Sequence, residues 1–352
     1  MERVRLAVAG AGLIGAKHAA LVGASEACDL VGICDTDPAR KSVADGLGVP
    51  FYRSADELVE RQQPAGVIIA TPNAEHASVA VVCAQRGAHL LIEKPVADSL
   101  DQAQRIAAVA TEQGISVLVG HHRRHNPLVQ KARDLVRSGA LGKLVGFSVL
   151  WTLLKPEAYF DVAWRRERPG GGPLLINLIH DLDSLRFICG ETATVYAQTS
   201  SATRGFAVED SLSISLTMAS GALGTILASD ATPAVWSYEA TTAENPLYFH
   251  AAENCYHFVG TEASLAFPQM ELWRYADPNQ RGWEQPVERR QLEVAAADPL
   301  KAQLEHFCRV IRGDDDPLVC AEDGMRSLAL ALAVQKSAET GLPVAPATLL
   351  SM

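Results

Sequence analysis

Two short motifs, about eighty residues apart, carry groups that could do chemistry together. Gly10-Ala11-Gly12-Leu13-Ile14-Gly15 follows an apolar run and precedes a predicted helix, and Asp35 ends the next apolar run. Glycines let a backbone approach a pyrophosphate, a helix N-terminus stabilises its charge, and a carboxylate accepts hydrogen bonds from ribose hydroxyls. The spacing therefore predicts a dinucleotide site formed by Gly10, Gly12, Leu13, Ile14, Gly15 and Asp35.

The residues around Asp35 bear on which dinucleotide is bound. A carboxylate at this position would repel a 2′-phosphate, which favours NAD over NADP. Arg40 and Lys41 leave NADP open, because either cation could fold back toward a phosphate. The alternative for the whole motif is a glycine turn that binds nothing.

Glu93-Lys94-Pro95, the second motif, puts a charge pair at the end of an apolar run. Burial would lower the pKa of Lys94, and such an amine can exchange a proton with a carbonyl or hydroxyl oxygen. The alternative is that Lys94 only pairs with Glu93.

Thr71-Pro72-Asn73, with His76, ends a neighbouring strand at the edge where ligands bind in such sheets. We expect Thr71, Pro72, Asn73, His76, Glu93 and Lys94 to contact the cofactor. Asn73 could also be the cap of a turn that starts a helix, and the two roles are compatible.

A histidine in the second half of the chain supplies another proton-transfer candidate. His180 lies on a helix predicted over 173–189, and with Asn177 it forms a polar stripe on an otherwise apolar helix. A lone histidine is more often structural than catalytic.

The cationic run 121–125 either faces a cleft or forms a solvated surface cluster. The candidate substrate contacts are Arg123, Asn126, Trp164, Arg165, Asn177 and His180.

The hydrophobic pattern predicts two domains. Apolar runs at 4–9, 30–34, 67–70, 89–92 and 117–119 alternate with helices and are read as five of the six strands of a predicted doubly wound parallel sheet. Later segments at 144–150, 194–199, 211–218, 223–229, 255–259 and 264–275 predict an α+β domain with a large, mostly antiparallel sheet. We expect domains at 1–122 and 123–352, with a helix near 322–340 able to pack back on the first.

Bulk properties exclude several classes of protein. The chain has 352 residues and a net charge of −10, which disfavours nucleic acid and anionic membranes as partners. No apolar run approaches the ~20 residues of a membrane helix, and no signal-peptide pattern precedes Val4. Seven scattered cysteines without a C-x-x-C pair predict reduced thiols and no metal site. We expect a soluble, cytoplasmic protein.

Taken together, these motifs resemble the glucose–fructose oxidoreductase, inositol dehydrogenase and MocA family (Gfo/Idh/MocA). The resemblance implies a Rossmann domain, an open-sheet domain through which subunits pair as homodimers or homotetramers, and small polar substrates such as sugars, cyclitols and polyols. One departure is clear: the family often carries Asp four residues before the histidine, and this position is Ile176.

The resulting interpretation is an NAD-dependent dehydrogenase of a secondary alcohol, with Lys94 and His180 converging beside the nicotinamide to transfer the proton. Two alternatives stay open. Some relatives use transient oxidation by NAD to cleave glycosides, and the missing Asp leaves that route possible. Others are ligand-sensing regulators without activity, which the retention of Lys94 and His180 disfavours.

Overall fold

The computed structural model describes residues 2–351, which divide into two compact units. The first comprises the chain up to His125 together with Asp298–Leu328. The second comprises Asn126–Ala297 and the chain from Ala329 onward. The domain division at residue 122 stays a prediction. No helix among these residues is long and apolar enough to cross a membrane.

The first unit contains a six-stranded parallel sheet, which confirms the predicted doubly wound fold. Its strands are β1 Val4–Ala9, β2 Cys28–Cys34, β3 Phe51–Tyr52, β4 Gly66–Ile69, β5 His89–Ile92 and β6 Val117–Val119, in the order β3-β2-β1-β4-β5-β6. The crossing helices are α1 Leu13–Ala24, α2 Lys41–Leu47, α3 Ala55–Gln62, α4 His76–Ala84 and α5 Leu100–Gln113. Strands β4 to β6 read as apolar runs because they are covered on both faces.

Local signals fix the ends of these helices. The hydroxyl of Ser54 accepts from the backbone N–H of Glu57 at the start of α3, and Ser99 accepts from Gln102 at the start of α5. Gly114 ends α5 with φ 64°, a left-handed conformation that favours glycine. Ser54 and Ser99 therefore cap the first turns of α3 and α5.

The second unit contains an eight-stranded sheet that is antiparallel except for one pair. Its strands are β7 Leu144–Thr152, β8 Thr192–Ser200, β9 Ser211–Met218, β10 Leu223–Ser229, β11 Tyr256–Gly260, β12 Ser264–Phe267, β13 Glu271–Tyr275 and β14 Val287–Gln291. Their order is β14-β13-β12-β11-β7-β10-β9-β8, and β7 and β10 are parallel. The remaining α-helices of the chain are α6 Pro127–Arg137, α7 Ile179–Cys189, α8 Tyr238–Thr241, α9 Pro299–Arg312, α10 Ala321–Thr340 and α11 Pro346–Leu349.

Helix α9 and the first residues of α10 belong to the first unit. Leu304, Phe307 and Cys308 of α9 enter the core that covers the parallel sheet. The backbone N–H of Val119 donates to the carbonyl of Val319, 2.9 Å away, just before α10 begins. Chain that is distant in sequence therefore completes the first unit.

Candidate active site

The glycine loop after β1 has room for an added side-chain atom at only one of its three glycines, Gly12. A Cβ added to Gly10, which has φ +89°, would lie 2.6 Å from the backbone of Ala70, and one added to Gly15 would lie 1.9 Å from the carbonyl oxygen of Gly10. A Cβ on Gly12 would have no heavy atom within 4 Å. Packing therefore requires glycine at 10 and 15, whereas position 12 borders open space.

Two further features at this edge suit a phosphate-bearing ligand. Helix α1 begins at Leu13 without a side-chain cap on its backbone N–H groups, so its positive end is available to an anion. Thr71 follows β4, and its buried hydroxyl has no hydrogen-bond partner within residues 2–351. The open space, the uncapped helix and the unpartnered hydroxyl fit the pyrophosphate of a dinucleotide.

Asp35 is held rigidly at the end of β2. Its Oδ2 accepts from the backbone N–H of Ala11 at 2.7 Å, and its Oδ1 accepts from that of Asp37 at 2.8 Å. The two nearby cations pair with other acids. Arg40 Nε lies 3.6 Å from Asp37, and Lys41 Nζ lies 2.7 Å from Asp45. These contacts favour a fixed carboxylate over a phosphate-binding cation at this position.

The segment after β4 contains one exposed and one buried polar side chain. Asn73 is exposed and begins the single 3-10 turn that precedes α4. The predicted turn at a helix start is therefore present, but the prediction that Asn73 caps it is wrong. His76 is fully buried, with Nδ1 2.9 Å from the carbonyl of Pro95 and Nε2 3.0 Å from that of Thr71. Burial lowers the pKa of His76. The neutral ring therefore links the strand end at Thr71 to the backbone beside Lys94.

Glu93 is a buried carboxylate with a partner that the sequence did not reveal. His18 Nε2, on α1, lies 2.7 Å from Glu93 Oε1, and the backbone N–H of Lys94 donates to Oε2 at 3.3 Å. Burial alone would raise the pKa of Glu93, but the His18 hydrogen bond and the charges of His18, His122 and Lys94 lower it to about 2. Glu93 is therefore ionised, and it adds negative charge next to Lys94.

The cationic run is buried. His121, Arg123, Arg124 and His125 all lie inside the protein, so the surface-cluster alternative is wrong. Arg124 pairs with Asp323, and His125 Nε2 lies 2.9 Å from His306 Nδ1. Burial and neighbouring positive charges lower the pKa of His125 to about 3.

The predicted helix over 173–189 is not uniform. Leu174–Leu178 forms a π-helical turn, and α7 begins only at Ile179. Leu175, Ile176 and Asn177 are partly exposed, whereas Ile179–Ile188 are buried. His180 is the second residue of α7 and is 9% exposed. Single π-helical turns often occur at functional sites, because they turn extra side chains out of a helix.

A lysine missed in the sequence lies beside this turn. Lys155 is 6% exposed, and its Nζ donates to Asn177 Oδ1 at 2.8 Å and lies 3.3 Å from Asp230 Oδ2. Burial lowers the pKa of Lys155, while the charge of Asp230 opposes that change. A signal was present: Lys155-Pro156 follows an apolar strand, as Lys94-Pro95 does.

The other predicted substrate contacts differ in accessibility. Trp164 is half exposed. The Arg165 guanidinium lies 4.1 Å from the centre of the Tyr159 ring, and its Nη1 donates to the Tyr159 carbonyl at 2.8 Å. Asn126 uses its amide internally: Oδ1 caps α6, and Nδ2 donates to Tyr238 and to Glu244, both at 2.9 Å. Trp164 is thus the most available of the three.

The first unit brings together the predicted cofactor residues Gly10 to Gly15, Asp35, Thr71, Asn73 and Lys94 along the carboxyl edge of its sheet. The second unit brings together Lys155, Asn177 and the helix that carries His180. Lys94 and His180 belong to different units, and their convergence stays a prediction. Among residues 2–351, no cluster of three or more His, Cys, Asp or Glu side chains is arranged to hold a metal ion.

Several known proteins have a similar sequence or a similar fold. A 1,5-anhydro-D-fructose reductase from Ensifer adhaerens is 29% identical over 94% of this chain and 96% of its own length. An inositol 2-dehydrogenase from Rubrobacter xylanophilus is 32% identical over 64% of each chain. The crystal structure of an Agrobacterium radiobacter oxidoreductase in complex with NAD+, L-tartaric acid and magnesium has a TM-score of 0.83. It is 21% identical and covers 99% of this chain and 100% of that one.

Two family models cover most of the chain. Residues 4–121 match the oxidoreductase family with an NAD-binding Rossmann fold, and residues 133–345 match the C-terminal alpha/beta domain of the same family. The chain therefore belongs to the Gfo/Idh/MocA family of NAD(P)-binding oxidoreductases.

Proposed function

We propose that the protein is an NAD-dependent dehydrogenase that oxidises a secondary alcohol of a sugar, cyclitol or related polyol. The observation that supports this most directly is the open space at Gly12, next to the uncapped start of α1 and the carboxylate of Asp35. The relatives named as an anhydrofructose reductase and an inositol dehydrogenase point to the same class of substrate.

Each residue has a proposed role. The backbone around Gly12 and the start of α1 bind the pyrophosphate, and Asp35 accepts hydrogen bonds from ribose hydroxyls. The bound NAD supplies a hydride acceptor for the carbinol carbon. Nζ of Lys94 takes the proton that leaves the substrate hydroxyl, and His180 assists at the same oxygen. Because Ile176 cannot exchange protons, these two side chains carry the proton transfer.

Replacement of Lys94 tests this role. We expect Lys94→Ala to reduce kcat by roughly 10²–10⁴-fold, the usual contribution of general acid–base catalysis. The first step is a screen of polyols, aldoses and hydroxy acids for NADH formation, followed by kinetics on the best substrate. NADH affinity of the variant, measured by fluorescence titration, should be largely retained. Lys131→Ala, at an exposed position on α6, is the matched control. Full turnover by Lys94→Ala would exclude the proposed role.

The choice of NAD over NADP rests on Asp35. Its two oxygens are fixed by backbone N–H groups, and Arg40 and Lys41 pair with acids. A 2′-phosphate would therefore meet a negative charge. We expect NADH to bind more tightly than NADPH in parallel titrations, and Asp35→Asn to narrow the difference. Tighter binding of NADPH by the unaltered protein would refute this argument.

The same kinetics distinguish the glycosidase alternative. A dehydrogenase forms NADH in proportion to the polyol consumed. An enzyme that cleaves glycosides by transient oxidation would release the aglycone of an aryl glycoside without net NADH. We expect the first result, since Lys94 and His180 suffice for a single oxidation.

We further propose that the protein is a homodimer or homotetramer that associates through the open face of its eight-stranded sheet. Leu223 and Leu227 on β10, and Val259 on β11, are large apolar side chains exposed on that face. Exposed apolar patches of this kind commonly mark interfaces.

A further inference from the structure

The side chain of Lys155 has a small and well-defined set of contacts. Its ammonium is buried at the end of β7, 2.8 Å from Asn177 Oδ1 and 3.3 Å from Asp230 Oδ2. It also lies 4.7 Å from the centre of the Tyr159 ring. A buried cation needs such partners, because removal from water is costly unless charge and hydrogen bonds replace it.

Asp230 is itself fixed, so Lys155 has little freedom. Arg204 Nε donates to Asp230 Oδ1 at 3.0 Å, and the exposed Glu157 lies 3.3 Å from Arg204 Nη1. The backbone N–H of Lys155 donates to the carbonyl of Asp230 at 2.9 Å. The two cations, Lys155 and Arg204, are balanced by the carboxylates of Asp230 and Glu157. Lys155 is held both by its backbone N–H and by its ammonium group.

This anchor determines which way the amide of Asn177 faces. An ammonium only donates hydrogen bonds, so only the side-chain oxygen of Asn177 can face Lys155. The NH2 group must then point the other way. Asn177 is partly exposed, and its Nδ2 makes no hydrogen bond within residues 2–351. The π-helical turn that carries it leads directly into α7 and His180.

We propose that Lys155 is a positioning residue that holds the oxygen of Asn177 and thereby presents its NH2, three residues before His180, as a fixed donor to a hydroxyl or carbonyl oxygen of the substrate. This inference rests on the proposed function, since it places the substrate beside His180. Ile176 has no polar side-chain group, so we expect Asn177 to make the polar contact with the substrate that lies before His180. The NH2 group of Asn177 is the donor in this contact, which suits a sugar oxygen with free lone pairs.

Two replacements test the two ends of the contact. Asn177→Asp keeps an oxygen against Lys155 but removes the NH2 donor. Lys155→Met keeps a long, unbranched side chain without the ammonium, which frees the Asn177 amide to rotate. We expect each to lower kcat/KM for the polyol about tenfold to a hundredfold, mainly through KM, with NADH affinity unchanged. Lys155→Arg, which keeps donors at the tip, should retain more activity than Lys155→Met.

A double variant separates positioning from other roles. If Lys155 acts through Asn177, Lys155→Met should have no further effect on kcat/KM when Asn177 is already alanine. Glu157→Gln, which alters only the exposed end of the network, is the control and should match the unaltered protein. If Lys155→Met fails to fold, Asn177→Asp and Lys155→Arg decide the question.

The outcomes distinguish this inference from the proposed function. If the unaltered protein forms NADH with none of the polyols tested, both this inference and the proposed function are wrong. An active protein whose Asn177→Asp variant keeps its KM would overturn this inference alone. A Lys155→Met effect that adds fully to that of Asn177→Ala would show that Lys155 does not act through the amide.

Discussion

Gly10, Gly12 and Gly15 belong to one loop, yet an added methyl group would meet different surroundings at each. At Gly15 it would collide with the carbonyl of Gly10, and at Gly12 it would enter open space. Gly12 also has φ −67°, which any residue adopts readily. We therefore expect Gly12→Ala to fold with unchanged stability and to bind NADH at least about tenfold more weakly, because the methyl group occupies the space proposed for the pyrophosphate.

Thermal melting and NADH fluorescence titration measure the two effects separately. Gly15→Ala is the matched comparison, and we expect it to lower the melting temperature or to prevent folding. A Gly12→Ala variant with unaltered NADH affinity would show that the ligand does not approach this residue.

At the residue scale, sequence spacing predicts groups that act at strand ends and misses those that act across the fold. The glycine loop, Asp35 and Lys94 were visible because each follows an apolar run. His18 was not visible, because its partner Glu93 lies 75 residues away in the sequence. Lys155 also follows an apolar strand, but no local pattern shows its contact with Asn177, 22 residues away. The role of a buried polar side chain depends on a partner that is distant in sequence, and local residue spacing does not predict that partner.

Helix α1 and the end of strand β5 are joined by the contact between His18 and Glu93. The pKa of Glu93 lies at about 2, below its usual value of 4.5, so folding favours the ionised form. Its contribution to the free energy of unfolding is present above pH 4.5 and is lost as pH falls toward 2. The shift corresponds to about 3 kcal/mol. We expect Glu93→Gln to be less stable at pH 7 by an amount that shrinks below pH 4.5.

Urea denaturation at several pH values measures this difference. All five tryptophans lie in the second unit, at positions 151, 164, 236, 273 and 283, so tryptophan fluorescence would not report on Glu93. Far-UV circular dichroism includes the helices of the first unit. Glu60→Gln, at an exposed position on α3, is the control. A stability difference that stays constant from pH 7 to pH 3 would contradict the low pKa.

At the element scale, buried strands were predictable and peripheral ones were not. Runs such as Leu90-Leu91-Ile92 are apolar because both faces of the parallel sheet are covered. Strand β3 has only two residues, and every residue of the edge strand β14 is exposed, so neither shows a hydrophobic pattern. The π-helical turn before α7 was also missed, since the apolar residues around it fit an ordinary helix equally well.

The open face of the second sheet lacks charge over five adjacent strands. Outward positions on β8, β9, β10, β7 and β11 include no Lys, Arg, Asp or Glu. They are Thr194, Tyr196, Gln198, Ser213, Ser215, Thr217, Leu223, Thr225, Leu227, Gly146, Ser148, Leu150, His257 and Val259. The opposite face packs the core through buried residues such as Ile214, Ile226 and Phe258. Solvated sheet faces usually carry charges that prevent association, so this face suits contact with a second copy of the chain.

Leu227 lies near the centre of this face and is 52% exposed. A carboxylate at this position would have little effect on the single chain, because the side chain points away from the core. In a paired face it would be buried among apolar and hydroxyl groups without a cation to balance it. We therefore expect Leu227→Glu to dissociate the oligomer into single chains at concentrations where the unaltered protein is fully associated. Sedimentation velocity gives the mass directly.

Leu247→Glu provides the matched control, since Leu247 is 86% exposed but lies in a loop outside the sheet. The same change in charge and in side chain at that position should leave the mass unchanged. Circular dichroism of Leu227→Glu should match that of the unaltered protein, which would attribute any loss of mass to the interface and not to unfolding. An oligomer that survives Leu227→Glu must associate through another surface, and the uncharged face would then need a different partner.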